Sequence, residues 1–120
     1  MRFHHVAMIS SDLNKSAEFY GEVLALELDV RPDLGFSGLF YKLGNGQQLH
    51  LMRIDNPYDG YVKPEHGGRD HHVALVTDDL DVVLGRLKEK GINYTQSRSG
   101  RVALFCRDPD GYAIEILQQP

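Results

Sequence analysis

The strongest constraint on the fold is an internal repeat in the sequence. The letters HHVA at residues 4–7 recur at 71–74, and Asp-Leu at 12–13 recurs at 79–80, an offset of 67 positions in a chain of 120 residues. Each half of such a chain is marginal as an independent folding unit, because it buries too little apolar surface. The repeat therefore predicts two modules of one pattern within a single domain.

The first half has the pattern of one strand, one helix and three further strands. Residues 3–9 are apolar and β-favouring, and Ser10, Ser11 and Asp12 supply side chains that cap a helix N-terminus. Apolar residues between positions 13 and 24 recur at helical spacing. The remaining strands of this half are predicted at 26–30, 38–43 and 48–54.

The second half repeats this order of elements. A strand is predicted at 71–77, followed by a helix at 80–89 that begins after the capping residue Asp79 and ends at Gly91. The last three strands are predicted at 93–97, 102–106 and 112–117.

The two halves define the expected domain organisation. Module 1 is predicted over about residues 1–56 and module 2 over about 70–120, with a linker at about 57–69 that is rich in proline and glycine. The fold class is therefore expected to be α+β, with two tandem β-α-β-β-β modules.

Composition favours a cytoplasmic protein that acts on small molecules. The net charge is −4, and basic residues cluster only in SRSGR at 97–101, which argues against a nucleic-acid partner. No apolar run approaches the roughly 20 residues that span a bilayer, and no secretory signal is recognisable. The single cysteine, Cys106, excludes an internal disulfide and is expected to be a buried, unreactive thiol.

Three motifs resemble one known family along the whole chain. The HHVA repeats, the segment FYGEVLAL at 19–26 and the closing DPDGYAIEI at 108–116 are similar to the vicinal oxygen chelate superfamily. Its members include glyoxalase I, fosfomycin-resistance thiol transferases, extradiol dioxygenases, methylmalonyl-CoA epimerase and bleomycin-binding proteins. The resemblance implies that each module forms a curved, mixed half-barrel sheet, that paired modules enclose a metal ion and its substrate, and that the chain forms a homodimer.

The repeat also singles out candidate metal ligands. His5 corresponds to His72, and alignment of GQQLHL at 46–51 with GYAIEI at 111–116 sets His50 opposite Glu115. Strand alternation turns His50 and Glu115 away from their apolar neighbours. Three imidazoles and one carboxylate suit zinc, nickel, cobalt, iron(II) or manganese. The resemblance implies the same set: His5, His72 and Glu115 match ligands shared in the superfamily, and His50 stands where glyoxalase I has Glu.

A glyoxalase I-like lyase or isomerase, with Glu115 as the catalytic base, is the activity that the resemblance favours. The chain departs from glyoxalase I where that enzyme holds glutathione with Arg and Asn, because Ile9 and Ile54 occupy those positions. Three alternatives stay open: an extradiol-type dioxygenase, a fosfomycin-type thiol transferase, and a non-catalytic protein that binds an antibiotic or another small molecule.

The sequence also allows predictions for two arginines and for the three remaining histidines. Arg98 and Arg101 are the candidates for binding an anionic substrate, because guanidinium groups pair well with carboxylate and phosphate. His4 and His71 have the opposite strand parity to the candidate ligands and are expected to point outward or to contact a ligand residue. His66, in the linker, is expected to be solvated.

Overall fold

The computed structural model describes all 120 residues of the chain. Packing of the Cα trace divides them into two compact units, Met1–Gly60 and Tyr61–Pro120. No helix is both long enough and apolar enough to span a membrane.

Unit 1 contains β1 (His5–Ile9), α1 (Leu13–Ala17), a π-helical turn (Glu18–Val23), β2 (Leu28–Asp29), β3 (Gly38–Gly44) and β4 (Gln47–Met52). The strands form a mixed sheet in the order β1-β4-β3-β2, in which β1 runs parallel to β4 and the other pairs are antiparallel. A parallel first-to-last pairing requires a crossover, which the helix and the two intervening strands supply.

Unit 2 contains β5 (His72–Thr77), α2 (Leu80–Glu89), β6 (Tyr94–Gln96), β7 (Ala103–Arg107) and β8 (Ala113–Gln118). A short 3₁₀ turn, Gly67–Arg69, precedes β5 within this unit. The topology is the same as in unit 1, with strand order β5-β8-β7-β6 and β5 parallel to β8. The predicted fold class, α+β with two tandem β-α-β-β-β modules, is confirmed.

The strand registers of the two units agree around the candidate ligands. Each candidate ligand on the last strand is flanked by one alanine and one phenylalanine on the neighbouring strands: His50 by Ala7 and Phe40, and Glu115 by Ala74 and Phe105. Paired residues on adjacent strands project from the same face of a sheet. His50 and Glu115 therefore occupy equivalent positions in the two sheets.

Alternation along the last strand of each unit separates the core from the ligand face. Leu49 and Leu51 are fully buried while His50 is half-buried, as the alternation predicted. In β8, Ile114 and Ile116 are buried on one face, and Glu115, on the other, is also buried. The second sheet thus covers its carboxylate much more completely than the first covers its imidazole.

The helices begin where the sequence predicted. The side chain of Asp12 accepts hydrogen bonds from the backbone N–H groups of Asn14 and Lys15, and Asp79 accepts one from Val82. Helix α2 ends before Gly91, whose φ of +65° is the left-handed conformation that glycine adopts easily.

Two elements differ from the sequence prediction. The first helix is not α-helical to position 24, because from Glu18 onward it widens into a π-helical turn, in which the Leu24 N–H bonds the Phe19 carbonyl. The strand predicted at 26–30 is only two residues long, since the Asp29 side chain accepts the N–H of Val30 and ends the pairing.

Candidate metal centre

The two candidate ligands of unit 1 lie side by side. The rings of His5 and His50 are stacked, with centroids 4.1 Å apart and an interplanar angle of 15°. Phe40 covers the opposite face of His50 at a centroid distance of 3.5 Å. The His50 ring therefore lies between two other rings, and His5 forms one end of this stack of three.

A hydrogen-bonded chain leads away from His50. Its Nε2 lies 2.9 Å from Oε1 of Gln48, and the Gln48 amide nitrogen donates to Oδ2 of Asp29 at 2.8 Å. Hydrogen bonds from Gln48 and from the Val30 N–H lower the pKa of Asp29, so its carboxylate is an acceptor at neutral pH. Sequence analysis missed Gln48 and Asp29, because polar residues of these types are common and neither belongs to the repeated motifs.

The surroundings of His50 favour its neutral form. Burial is the largest cause that lowers the pKa of His50, followed by the positive charges that His5, His4 and Arg31 can carry. A metal ion requires a neutral imidazole, so this shift favours a ligand role. His4 lies against His5, with their Nδ1 atoms 2.7 Å apart, in line with the prediction that it points outward or contacts a ligand residue.

Arg31 is a third residue near His50 that sequence analysis missed. Its guanidinium lies 5.1 Å from the ring centroid of Phe36 and 5.7 Å from that of Phe40, and it donates to the Phe36 carbonyl. Gly38 makes this packing possible, because any side chain there would collide with the guanidinium. Arg31 thus places a cation one aromatic ring away from His50.

The two candidate ligands of unit 2 face each other. Nε2 of His72 lies 3.4 Å from Oε2 of Glu115. Nδ1 of His72 lies 2.9 Å from the Asp70 carbonyl, which can only accept, so Nδ1 carries the proton in the neutral ring. In that tautomer Nε2 is a bare lone pair that points at a carboxylate oxygen.

This arrangement fits a metal cation. Glu115 is 2% exposed, and its Oε1 has no hydrogen-bond donor in the structure. Nη2 of Arg101 lies 3.4 Å from that oxygen. A buried carboxylate that faces the lone pair of an imidazole is costly unless a positive charge is shared between them. A divalent ion that binds both atoms would remove this cost.

The ligand-type side chains form pairs and not larger clusters. Neither unit gathers three or more His, Cys, Asp or Glu side chains in a metal-binding arrangement. His5 and His50 make one pair, and His72 and Glu115 make the other.

An ion pair between Asp70 and Arg107 fixes the backbone that precedes His72. Nη1 of Arg107 donates to Oδ2 of Asp70 at 2.8 Å and to the Gly111 carbonyl, and its Nη2 donates to the Pro64 carbonyl. The hydrogen bond from Arg107 is the largest cause that lowers the pKa of Asp70. The Asp70 backbone carbonyl in turn fixes the His72 tautomer. Sequence analysis missed this ion pair, whose members are 37 positions apart.

The two candidate substrate-binding arginines differ in position. Arg101 contacts the Glu115 carboxylate, although 61% of its side chain is exposed. Arg98 is exposed, and its charge lowers the pKa of His66 after the larger effect of burial. A cavity of about 490 Å³ opens in the same unit, with Thr95, Phe105 and Arg107 in its lining.

The prediction for His66 was wrong. The residue is 8% exposed, its Nδ1 lies 2.6 Å from the Thr95 hydroxyl, and its ring packs edge-on against Phe105. The linker folds onto the sheet here because Gly67 fits directly against Phe105 and has no side chain to collide with it. His66 thus lies against the same phenylalanine as His72.

Cys106 is buried, as predicted. Burial, with a smaller effect of Asp108, raises the pKa of its thiol to about 12. The thiol therefore stays protonated at neutral pH and is a poor nucleophile.

This chain is similar to known proteins along nearly its whole length. Residues 2–116 match the family model described as the Glyoxalase/Bleomycin resistance protein/Dioxygenase superfamily. Mitochondrial methylmalonyl-CoA epimerase of Bos taurus is 33% identical over 98% of this chain and 74% of its own length. Lactoylglutathione lyase of Escherichia coli O157:H7 is 30% identical over 99% of this chain and 93% of its own. The solved structure of the trypanothione-dependent glyoxalase I of Leishmania major superposes with a TM-score of 0.75 at 24% identity, over 98% of this chain and 86% of that one.

Proposed function

Because the chain belongs to the glyoxalase/bleomycin resistance protein/dioxygenase superfamily, we propose that it is a divalent-metal-dependent, glyoxalase I-like lyase or isomerase. Its substrate would be a small anion with two neighbouring oxygens that can chelate a metal ion. The observation that carries the proposal is the buried Glu115 carboxylate, whose Oε2 lies 3.4 Å from Nε2 of His72.

The metal ion of this proposal would be held by His5, His50, His72 and Glu115. His5 and His50 form a pair within unit 1, and His72 and Glu115 form a pair within unit 2. When bound, the ion supplies Lewis-acid stabilisation of negative charge that develops on substrate oxygens. Zinc, nickel, cobalt, iron(II) and manganese all suit three imidazoles and one carboxylate.

Glu115 is the general base in this reaction. It is the only carboxylate among the four proposed ligands, and its burial keeps bulk water from its oxygens. A single carboxylate can take a proton from one carbon of the substrate and return it to the neighbouring carbon on the same face. The net change is an isomerisation with no other reactant.

The anionic group of the substrate binds to Arg101, with Arg98 as a second cation in the same loop. Support comes from the position of Arg101, whose guanidinium contacts the Glu115 carboxylate while most of its surface is open to solvent. A bidentate pair with a carboxylate would use the exposed face of that guanidinium.

A racemase-like epimerase is the second candidate function. The similarity to methylmalonyl-CoA epimerase, at 33% identity, favours it. Inversion at one carbon requires proton removal on one face and delivery on the other, and therefore two acid–base groups. Glu115 is the one carboxylate in the proposed ligand set, so transfer between adjacent carbons is the better match to these residues.

The experiment that tests the proposal is a substrate panel with metal-reconstituted protein. The panel contains a glutathione hemithioacetal, the same hemithioacetal built on another thiol, methylmalonyl-CoA, a catechol, and fosfomycin with a thiol. We expect turnover of a hemithioacetal, loss of that turnover in Glu115→Gln, and full turnover in the matched surface variant Glu89→Gln.

Other outcomes contradict the proposal in distinct ways. Exchange of the methylmalonyl-CoA α-proton with D₂O would support the epimerase. Oxygen uptake with the catechol would indicate a dioxygenase, and thiol addition to fosfomycin a transferase. Tight binding of a small molecule without turnover of any substrate would indicate a binding protein.

A further inference from the structure

The two units hold their histidines by different ring nitrogens. We propose that Gln48 and Asp29 are positioning residues that keep the proton of His50 on Nε2, so that His50 offers Nδ1 to a metal ion while His72 offers Nε2. This inference rests on the proposed metal site, and it concerns which atom of each ring serves that site.

The direction of each hydrogen bond follows from the charge of Asp29. Its Oδ1 accepts the Val30 N–H and its Oδ2 lies 2.8 Å from the side-chain nitrogen of Gln48. An ionised carboxylate only accepts hydrogen bonds, so the NH₂ group of Gln48 must face it. The Gln48 carbonyl oxygen then faces His50 at 2.9 Å and requires a proton on Nε2.

Ring stacking keeps His50 in this orientation. His5 and Phe40 cover its two faces, at centroid distances of 4.1 and 3.5 Å. A half-turn of the ring would place a carbon atom opposite the Gln48 carbonyl and leave that oxygen without its donor. The stack and the hydrogen bond therefore select one orientation and one tautomer together.

The second unit has no counterpart of the Gln48 hydrogen bond at the equivalent position. Gln48 is the register partner of His5, and the register partner of His72 is Ala113, which has no polar side chain. The proton of His72 is instead held on Nδ1 by the Asp70 carbonyl. The Gln48 contact thus occurs only in the module whose last-strand ligand is an imidazole.

The first test reads the tautomers directly in metal-free protein. Long-range ¹H–¹⁵N correlation spectra at neutral pH distinguish a proton on Nε2 from one on Nδ1. We expect Nε2–H for His50 and Nδ1–H for His72 in the parent protein. Gln48→Leu should remove the preference at His50, whereas Gln47→Leu, one position earlier in the same strand, should leave it unchanged.

The second test reads the metal-binding atom and the affinity. In protein loaded with cadmium-113, we expect scalar coupling of the metal to Nδ1 of His50 and to Nε2 of His72. Gln48→Leu should weaken cadmium binding about 10–100-fold, as loss of a hydrogen bond to a ligand histidine typically does, and Gln47→Leu should not.

A charge-swapped pair provides the rescue. In Asp29→Asn with Gln48→Glu, the asparagine NH₂ donates to the new carboxylate, which still accepts the Nε2 proton of His50. The double variant should recover the Nε2–H tautomer and the affinity that Gln48→Leu loses.

Two results would overturn the inference, and a third would remove His50 from the proposed metal site. A proton on Nδ1 of metal-free His50, or cadmium coupling to its Nε2, contradicts the role of Gln48 and Asp29. If His50 has the expected tautomer but His50→Ala binds cadmium as tightly as the parent, the metal assignment of His50 fails, while the positioning of the ring stands.

Discussion

At the scale of single residues, Glu115 combines two properties that rarely coincide, near-complete burial and an oxygen without a hydrogen-bond donor. Glu115→Gln should lower metal affinity at least about 10-fold, because it removes the only anionic ligand. The same change should not destabilise the metal-free protein, since it replaces a costly buried charge by a neutral amide. Chelator competition and urea unfolding measure the two effects.

His4→Ala is the matched control for that variant. His4 contacts His5 but is not a proposed ligand, so we expect little loss of metal affinity. Equal metal affinities for Glu115→Gln and the parent protein would exclude Glu115 as a ligand.

For Arg101 we predict a loss of substrate binding without a loss of metal affinity. Arg101→Ala should raise KM for anionic substrates roughly 10–100-fold, the equivalent of about 1.5–3 kcal/mol for a hydrogen bond to a charged group. Metal affinity should not fall, because a guanidinium 3.4 Å from the Glu115 carboxylate opposes a metal cation. Arg98→Ala, in the same loop, should raise KM less. Unaltered kinetics in the double variant would leave both arginines as solvated loop residues.

At the scale of elements, the Asp70–Arg107 ion pair joins the start of β5 to the end of β7. The folded-state pKa of Asp70 is lowered, mainly by Arg107, so the pair stabilises the fold above the unfolded pKa of about 3.9 and loses this effect as pH falls through the folded value. Arg107→Leu should cost about 1.5–3 kcal/mol at pH 7.

Urea unfolding at pH 7 and at low pH tests this ion pair. The difference between Arg107→Leu and the parent should shrink once Asp70 is protonated. Asp70→Asn, which keeps the backbone carbonyl that His72 uses, should show a weaker pH dependence than the parent. A difference that stays constant between the two pH values would contradict the assignment.

The order of elements could be predicted from the sequence because each element has a local signal. Asp12 and Asp79 begin helices, Gly91 ends one, and alternation marks β4 and β8. The π-helical turn could not be predicted, because one extra residue in a helical turn changes the spacing of the apolar residues too little to be recognised. The burial of His66 depends on Thr95, which is 29 positions away, and local patterns do not report such contacts.

At the scale of the whole molecule, we propose a homodimer. Many large apolar side chains are exposed, among them Val30, Val62, Val76 and Val102, each with more than half of its surface open to solvent. A contiguous apolar surface commonly marks a contact with another chain, and we propose that exposed apolar side chains of this kind contribute to one. Light scattering at micromolar concentration should give twice the chain mass of 13.6 kDa. A monomer with full metal content and activity would contradict this proposal.

The internal repeat could predict the whole fold because duplication places equivalent residues at equivalent points of two sheets. The registers that flank His50 and Glu115 confirm that equivalence. Gln48 and Asp29 could not be found this way, since the matching register positions of the second module hold Ala113 and Thr95, which have different chemistry.

The most direct measurement of the central claim is the metal content of two matched variants after chelation and reconstitution. One variant replaces the four proposed ligands, as His5→Ala, His50→Ala, His72→Ala and Glu115→Gln, and the other replaces His4→Ala, His71→Ala and Glu89→Gln. Elemental analysis should find about one divalent ion per chain in the parent and the second variant, and none in the first. Equal metal in both variants, or none in the parent, would contradict the account.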